Sequence, residues 1–200
     1  MRRAMLLTSL CLLRSCLALG QQAPPFAISG SKLAPQLSFG YLYEGSRTVP
    51  DDHAFGLNGG RVDVMLPLTR HAGVAAEFSG VHTRNMAGSG VSVTTLTYLA
   101  GPRLLLPIGP ARESTAFASF VQTLFGGVHA IDGVFPNAAG LQGAASAVAL
   151  SAGGGLQMSV NRKLSLRLIQ ADYLYTRLPN LYSNYQSSYR IGAGIVLALH

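Results

Sequence analysis

Seven charged residues stand where charge is costly: Arg61, Asp63, Glu77, Arg103, Arg167, Asp172 and Arg190 each lie inside a segment of alternating or near-continuous apolar residues. Four guanidinium groups and three carboxylates brought together could neutralise one another, and a buried charge is tolerated when paired and hydrogen-bonded. The same set could instead line a conducting or catalytic path. Arg167 and Asp172 are the nearest opposite charges of the set within the run Leu164 to Thr176, LSLRLIQADYLYT. If they interact, Arg167→Glu alone should impair folding and added Asp172→Arg should recover some stability.

Other chemistries find little support. No HExxH, complete GxGxxG or P-loop occurs. A lipid-directed His-x-Ser pair is also absent, because His53, His71, His82 and His129 are followed two residues later by Phe55, Gly73, Arg84 and Ile131, and His200 ends the chain. His82 and Glu77 remain a base and an acid that folding could bring together. No residue is assigned a catalytic, cofactor-binding or metal-binding role.

The elements that must position these charges read as strands. With 48% hydrophobic and 12% charged residues the chain is apolar for a soluble protein, yet it holds no clean apolar run of the ~18 or more residues that a membrane helix needs. The nearest, Ala138 to Gly155, is interrupted by Gln142, two serines and three glycines, and reads better as a loop and strand. Eight strand candidates follow one another, at 36 to 43, 55 to 66, 72 to 82, 91 to 106, 115 to 129, 145 to 159, 163 to 176 and 187 to 199. All but the first reach the roughly 9 to 11 residues that cross a bilayer.

The connections alternate in character. Those at Pro67 to His71, Pro107 to Ser114 and Val160 to Arg162 are tight, whereas Glu44 to Ala54, Thr83 to Gly90, Ala130 to Ala144 and Arg177 to Gln186 are longer and polar. Short turns at one end and long loops at the other are the pattern of a closed outer-membrane barrel with its long loops outside the cell. Parity then predicts the faces. Val62, Val64 and Leu66 oppose Arg61, Asp63 and Met65, and Tyr189, Ile191 and Ile195 oppose Arg190, Gly192 and Gly194.

The seventh candidate keeps this order only with a correction. Strict alternation would put Gln170 and Asp172 on the lipid face with Leu164 to Leu168, at a cost of several kcal/mol for a charge near the midplane. One extra residue near Leu168 and Ile169, a β-bulge, turns Arg167, Gln170 and Asp172 inward and Ile169, Ala171, Tyr173 and Tyr175 outward. Strand glycines such as Gly153 to Gly155, Gly192 and Gly194 would leave room for long inward side chains. Tyr41, Tyr43, Phe55, Phe78, Tyr98, Phe117, Tyr173, Tyr175 and Tyr189 fit interfacial girdles.

The amino terminus reads as a secretory signal, with basic Arg2 and Arg3, apolar Met5 to Leu13, and cleavage expected after Gly20. Residues 1–20 would be the signal peptide, 21–34 a periplasmic linker and 35–200 the barrel. Both cysteines, Cys11 and Cys16, fall within the leader, so the exported chain would lack thiolate chemistry and disulfides. Loss of Arg2, Arg3 and Arg14 changes 15 basic against 8 acidic residues to 12 against 8. That scattered excess of 4, with no basic run, argues against nucleic acid as a partner.

Several stretches carry a family likeness: Gly101-Pro102-Arg103, Leu124-Phe125-Gly126-Gly127, Gly153-Gly154-Gly155-Leu156, Val160-Asn161-Arg162, the segment Ile169 to Arg177 and the closing Arg190 to Val196. In these the chain resembles the bacterial outer-membrane β-barrel domain family, OmpA-like or OmpX-like, most closely its acidobacterial versions, over roughly residues 35 to 199. The resemblance implies an all-β, eight-stranded antiparallel up-and-down transmembrane barrel behind a signal peptide, inserted by the barrel assembly machinery. It implies no single activity. The chain ends on His200 where many such barrels end on phenylalanine, although Ile195, Leu197 and Leu199 keep the alternation of that ending.

The expected function is that of a non-enzymatic barrel in the outer membrane of a Gram-negative bacterium, with lipid as its surroundings, no cofactor, and extracellular loops that meet a partner. Tyr182 and Tyr185 are candidate loop contacts. A narrow pore, a lipid-modifying enzyme and a soluble lipocalin-like binder are the alternatives. The last would reverse the faces, placing Arg61, Glu77 and Arg190 outside.

Overall fold

The computed structural model describes residues 33–47, 53–108, 116–137, 140–179 and 185–199. The expected signal peptide, its cleavage site and most of the expected linker therefore lie outside the described residues. Eight strands follow in order: β1 (Gln36–Arg47), β2 (Ala54–Pro67), β3 (Ala72–Thr83), β4 (Val93–Ile108), β5 (Ala116–Asn137), β6 (Gly140–Ser159), β7 (Leu164–Thr176) and β8 (Gln186–Ala198). Each pairs antiparallel with its sequence neighbours, and β8 returns to β1 to close the barrel. Closure leaves no lateral edge within the barrel wall, the condition for spanning lipid with strands. Among the described residues no helix is long and apolar enough to cross a membrane.

Alternation sorts the side chains as expected, with the polar set inside. On β2, Arg61, Asp63 and Met65 are buried, whereas Val62, Val64 and Leu66 are exposed. Phe78, Leu106, Val121, Phe125 and Ile195 continue the apolar outer surface. A soluble lipocalin-like binder would carry the opposite arrangement, so the faces set that alternative aside.

The bulge in β7 falls where parity requires it. Pairing with β8 jumps from Arg167↔Gly194 to Gln170↔Gly192, leaving Leu168 and Ile169 both exposed. Arg167, Gln170 and Asp172 consequently all turn inward and are buried. On the facing side of the barrel, the ladder between β4 and β5 skips from Ala100↔Phe125 to Arg103↔Gln122. Pro102, which has no N–H to donate, occupies that gap.

Three expectations change. The first strand is 12 residues long and continues through Glu44 to Arg47, so the residues read as the start of a loop belong to the wall. The segment Ala130 to Ala144, read as a long loop, is mostly an extended hairpin, because β5 and β6 stay paired up to Asn137↔Gly140. A register shift between Ile131 and Phe135 absorbs the turn-like Asp132-Gly133, with Asp132 at φ 63, and Gly140 takes φ 122 near the turn. Phe55, expected in the outer girdle, shares the inward parity of Leu57 and packs against Leu42, Leu57 and Val81.

Candidate functional site: the charged barrel interior and its mouth

The interior is assembled from inward positions of seven strands. Asp63 on β2 is the most heavily bridged carboxylate: Arg103 Nη1 reaches Oδ1 at 2.6 Å and Arg167 Nη1 reaches Oδ2 at 2.6 Å. Ser38 on β1 donates to the same Oδ2. The two guanidinium groups also lie over the ring of Phe120, each 5.0 Å from its centroid. Two like charges thus share one carboxylate and one aromatic ring, and both attractions offset their mutual repulsion.

Two glutamines carry the network onward. Gln122 accepts from Arg103 Nε at 2.8 Å and donates to Asp172 Oδ1 at 3.1 Å. Gln170 accepts from Arg167 at 2.9 Å and donates to Asp172 Oδ2 at 2.7 Å. An amide can do both because its carbonyl accepts while its NH2 donates. Asp172 then meets Arg61 at 3.0 Å, Arg61 meets Glu77 at 3.5 Å, and Glu77 meets Arg190 at 3.3 Å. Arg190 also donates to Ser79 and faces Glu44 Oε2 at 3.4 Å.

All seven charges expected inside are inside and joined in one network. Arg167 and Asp172, however, do not pair directly: Gln170 stands between them, and the carboxylate of Arg167 is Asp63. The informative pairs for charge reversal are accordingly Asp63 with Arg167 and Arg61 with Asp172. Sequence reading also missed an eighth member. Glu44 is 5% exposed on the inward face of β1, and it makes four carboxylates against four arginines. Its signal was present in the parity of Ser38, Gly40, Leu42 and Glu44.

Glycines make the space. A Cβ at Gly192 would lie 2.5 Å from Arg61 Nη2, and one at Gly155 would lie 2.8 Å from the Phe120 ring. Outside the barrel the same device serves tyrosines. The Tyr98 ring lies over Gly127 and the Tyr43 ring over Gly56 on neighbouring strands.

The filled layer extends to apolar clusters at both levels. Met65, Leu105 and Phe120 form one, and Leu99, Leu124, Val128 and Leu174 belong to another. Arg103, Arg190, Leu124, Leu174 and Gln170 are each fully buried, so side chains occlude the barrel at this depth among the described residues. Above them, toward the ends of the long-loop connections, a cavity of about 200 Å3 opens, walled by Phe55, Leu57, Val128, Ala130, Phe135, Leu174 and Leu178 together with Glu44.

The outer face carries two imidazole–hydroxyl pairs across strands. His82 Nδ1 and Thr94 Oγ1 share a hydrogen bond at 2.9 Å, and His129 Nδ1 and Ser146 Oγ share one at 2.8 Å. A search for closely spaced residues along the chain could not find them, because antiparallel register makes the contact. His82 does not meet Glu77, which points to the opposite face. Among the described residues neither imidazole touches a carboxylate, and Asp132 instead accepts from Thr94 at 3.4 Å. A nucleophile–base pair normally has a third group orienting the base. No group of three or more metal-ligating side chains occurs among the described residues. Tyr185 is exposed and stacked on Tyr175, with centroids 6.4 Å apart, and Tyr182 lies outside the described residues.

No protein-family model and no curated protein matches the chain. Solved structures do. Neisserial surface protein A superposes with a TM-score of 0.57 at 10% identity, covering 82% of this chain and 97% of that one. Ail, the attachment invasion locus protein of Yersinia pestis, gives 0.48 at 16% identity, covering 83% and 99%. The former likeness is one of fold. Together with the charged interior and apolar exterior it identifies an eight-stranded barrel of the outer-membrane type.

Proposed function

We propose that this protein is a non-enzymatic outer-membrane barrel whose occluded body anchors an extracellular contact surface. The β5–β6 hairpin is the observation that carries this reading. Pairing of β4 with β5 stops at Thr94↔Ile131 and pairing of β7 with β6 starts at Ala149↔Thr176, yet β5 and β6 remain paired to Asn137↔Gly140. The hairpin therefore rises past its neighbours on the side of the long connections. Loops and projections on a rigid scaffold are where variable recognition resides. Tyr185, just before β8 at the same end of the barrel, is a second contact, and Tyr182 is added to it on the sequence alone.

Export by a signal peptide ending near residue 20, a linker to residue 34, and insertion by the barrel assembly machinery belong to the same proposal, as does a Gram-negative outer-membrane location. Kinship with acidobacterial members rests on the motifs of the sequence. A narrow pore is the second reading, and the network of arginines and carboxylates supports it only if that layer can move aside for ions.

A cysteine at Gln142, labelled on intact cells with a membrane-impermeant maleimide, tests the hairpin's location. Labelling is expected, alongside a heat-dependent mobility shift of the protein in the outer-membrane fraction. A protected cysteine in a correctly inserted barrel would overturn the reading. Steady ion conductance in planar bilayers would favour the pore.

A further inference from the structure

The turns joining β2 to β3 and β6 to β7 share one construction. In Leu68-Thr69-Arg70-His71 the amides of Leu68 and Thr69 both donate to the Ala72 carbonyl, and Thr69 Oγ1 accepts from the amides of His71 and Ala72. In Val160-Asn161-Arg162-Lys163 the amides of Val160 and Asn161 both donate to the Leu164 carbonyl, and Asn161 Oδ1 accepts from the amides of Lys163 and Leu164. Each turn therefore carries an apolar residue, a polar cap and an arginine in the same order. The cap satisfies two amides and fixes the backbone from which the arginine projects.

Arg70, Arg162 and Lys163 are exposed, and none forms an ion pair with another described residue. Neither turn contains a carboxylate. The apolar members are exposed as well: Leu68 and Val160 at the turns, Leu66 and Val74 on the strands that flank the first, and Leu199 beside the second. The apolar outer surface thus runs on into both turns, which sets their cations where hydrocarbon gives way to headgroups. The connections β2–β3 and β6–β7 stand four strands apart in a ring of eight, so the two turns lie on opposite sides of the barrel.

We infer that these two turns form a paired anchoring surface for anionic phospholipids, with Arg70 on one side and Arg162 and Lys163 on the other donating to headgroup phosphates while Leu68 and Val160 enter the acyl chains. A guanidinium matches a phosphate in charge and in geometry. An apolar side chain next to it selects a lipid surface over a soluble anion, because it gains only where hydrocarbon is at hand. The inference rests on the barrel spanning a bilayer and not on the hairpin at the opposite end, which could fail as a contact surface without affecting it.

The test exploits the absence of tryptophan from the chain. Leu68→Trp and, separately, Val160→Trp each place a single reporter at one turn of the full exported chain, reconstituted in vesicles of equal parts phosphatidylcholine and phosphatidylglycerol. Brominating the chains of one lipid or the other, and comparing the quenching, gives the relative affinity of the two headgroups beside the reporter. Phosphatidylglycerol should be favoured about fivefold for each cation at low salt, the worth of one Lys or Arg beside an anionic surface, and the preference should fade in ~1 M salt. Arg70→Gln should remove the preference at the first turn, and Arg162→Gln should lower it about fivefold at the second. Arg84→Gln, which alters an exposed arginine at the opposite end of the barrel, should change neither. Quenching itself, with the heat-dependent mobility shift, reports insertion, so a failure here is separate from a failure of the barrel to span lipid. Equal affinity for the two lipids in an inserted barrel, a preference that survives Arg70→Gln, or an equal loss in Arg84→Gln would overturn the inference. So would equal lipid affinity accompanied by arginine-dependent retention on isolated peptidoglycan, which would give the turns to a wall polymer instead.

Discussion

The inner and outer faces of β2 differ by one step along the chain and by the solvent they meet. Arg61 and Asp63 are buried among counter-charges, whereas Val62 and Val64 are exposed. In a soluble protein the second pair would be the core and the first pair the surface. Here a charge is acceptable only where a partner waits for it, and an apolar side chain is acceptable where none does. The two faces therefore tolerate opposite substitutions.

The sharpest way to break that contrast is Asp63→Ala. It leaves Arg103 and Arg167 buried beside one another over Phe120 without their shared anion, and should cost about 3–5 kcal/mol, the penalty of breaking a buried pair. Urea unfolding in lipid vesicles, followed by tyrosine fluorescence because the chain has no tryptophan, measures it. Stability within ~1 kcal/mol of the parent would mean that the network contributes little.

Val62→Arg makes the mirror change on the adjacent outward position. Its expected cost is about 2–4 kcal/mol near the midplane, falling toward zero for an arginine placed at the interface. An equally stable variant in the same assay would show that this surface does not face hydrocarbon.

Gly192→Ala and Gly127→Ala compare the faces sterically. The first presses a methyl against Arg61 and the Tyr41 carbonyl inside the closed barrel; the second meets the Tyr98 ring, which can swing into lipid. The inner substitution should lose about 1–3 kcal/mol, as overpacking does, and the outer one less than ~1 kcal/mol. Equal losses would remove the distinction.

Deleting Leu168 should have the smallest effect. It erases the bulge but leaves one outward residue between Arg167 and Gln170, so every charged side chain keeps its inward direction. The variant should still show the heat-dependent mobility shift of a folded barrel. Failure to fold would make the bulge itself, and not merely the parity it preserves, a requirement.

What the sequence revealed follows from the same contrast. Period-two alternation across a lipid boundary is strict, so strand positions, faces, seven inward charges and the β7 bulge were legible. Glu44 was not, because a glutamate followed by glycine, serine and arginine reads as the start of a turn, although its parity matched Ser38 and Leu42. The β5–β6 extension was hidden by Asp132-Gly133, Pro136-Asn137 and the small residues Gly143-Ala144-Ala145, which signal loops when no partner strand is in view. The His129–Ser146 and His82–Thr94 contacts depend on register between strands, which spacing along one chain does not encode.

The reach of the ion pairs also constrains how the barrel is born. Arg61 finds Asp172 across 111 positions, Arg167 finds Asp63 across 104, and Arg190 finds Glu77 across 113. A growing sheet of the first four strands would hold Asp63, Glu77, Arg61 and Arg103 without the partners that β7 and β8 bring. Loop-closure entropy is spent before these contacts exist, which makes such topologies slow to form. Asp63–Arg103 and Arg61–Glu77 can form among the first four strands, but the pairs with Asp172, Arg167 and Arg190 arrive only with β7 and β8. An open intermediate therefore lacks a large share of the charge compensation that the closed barrel has, which couples insertion to closure.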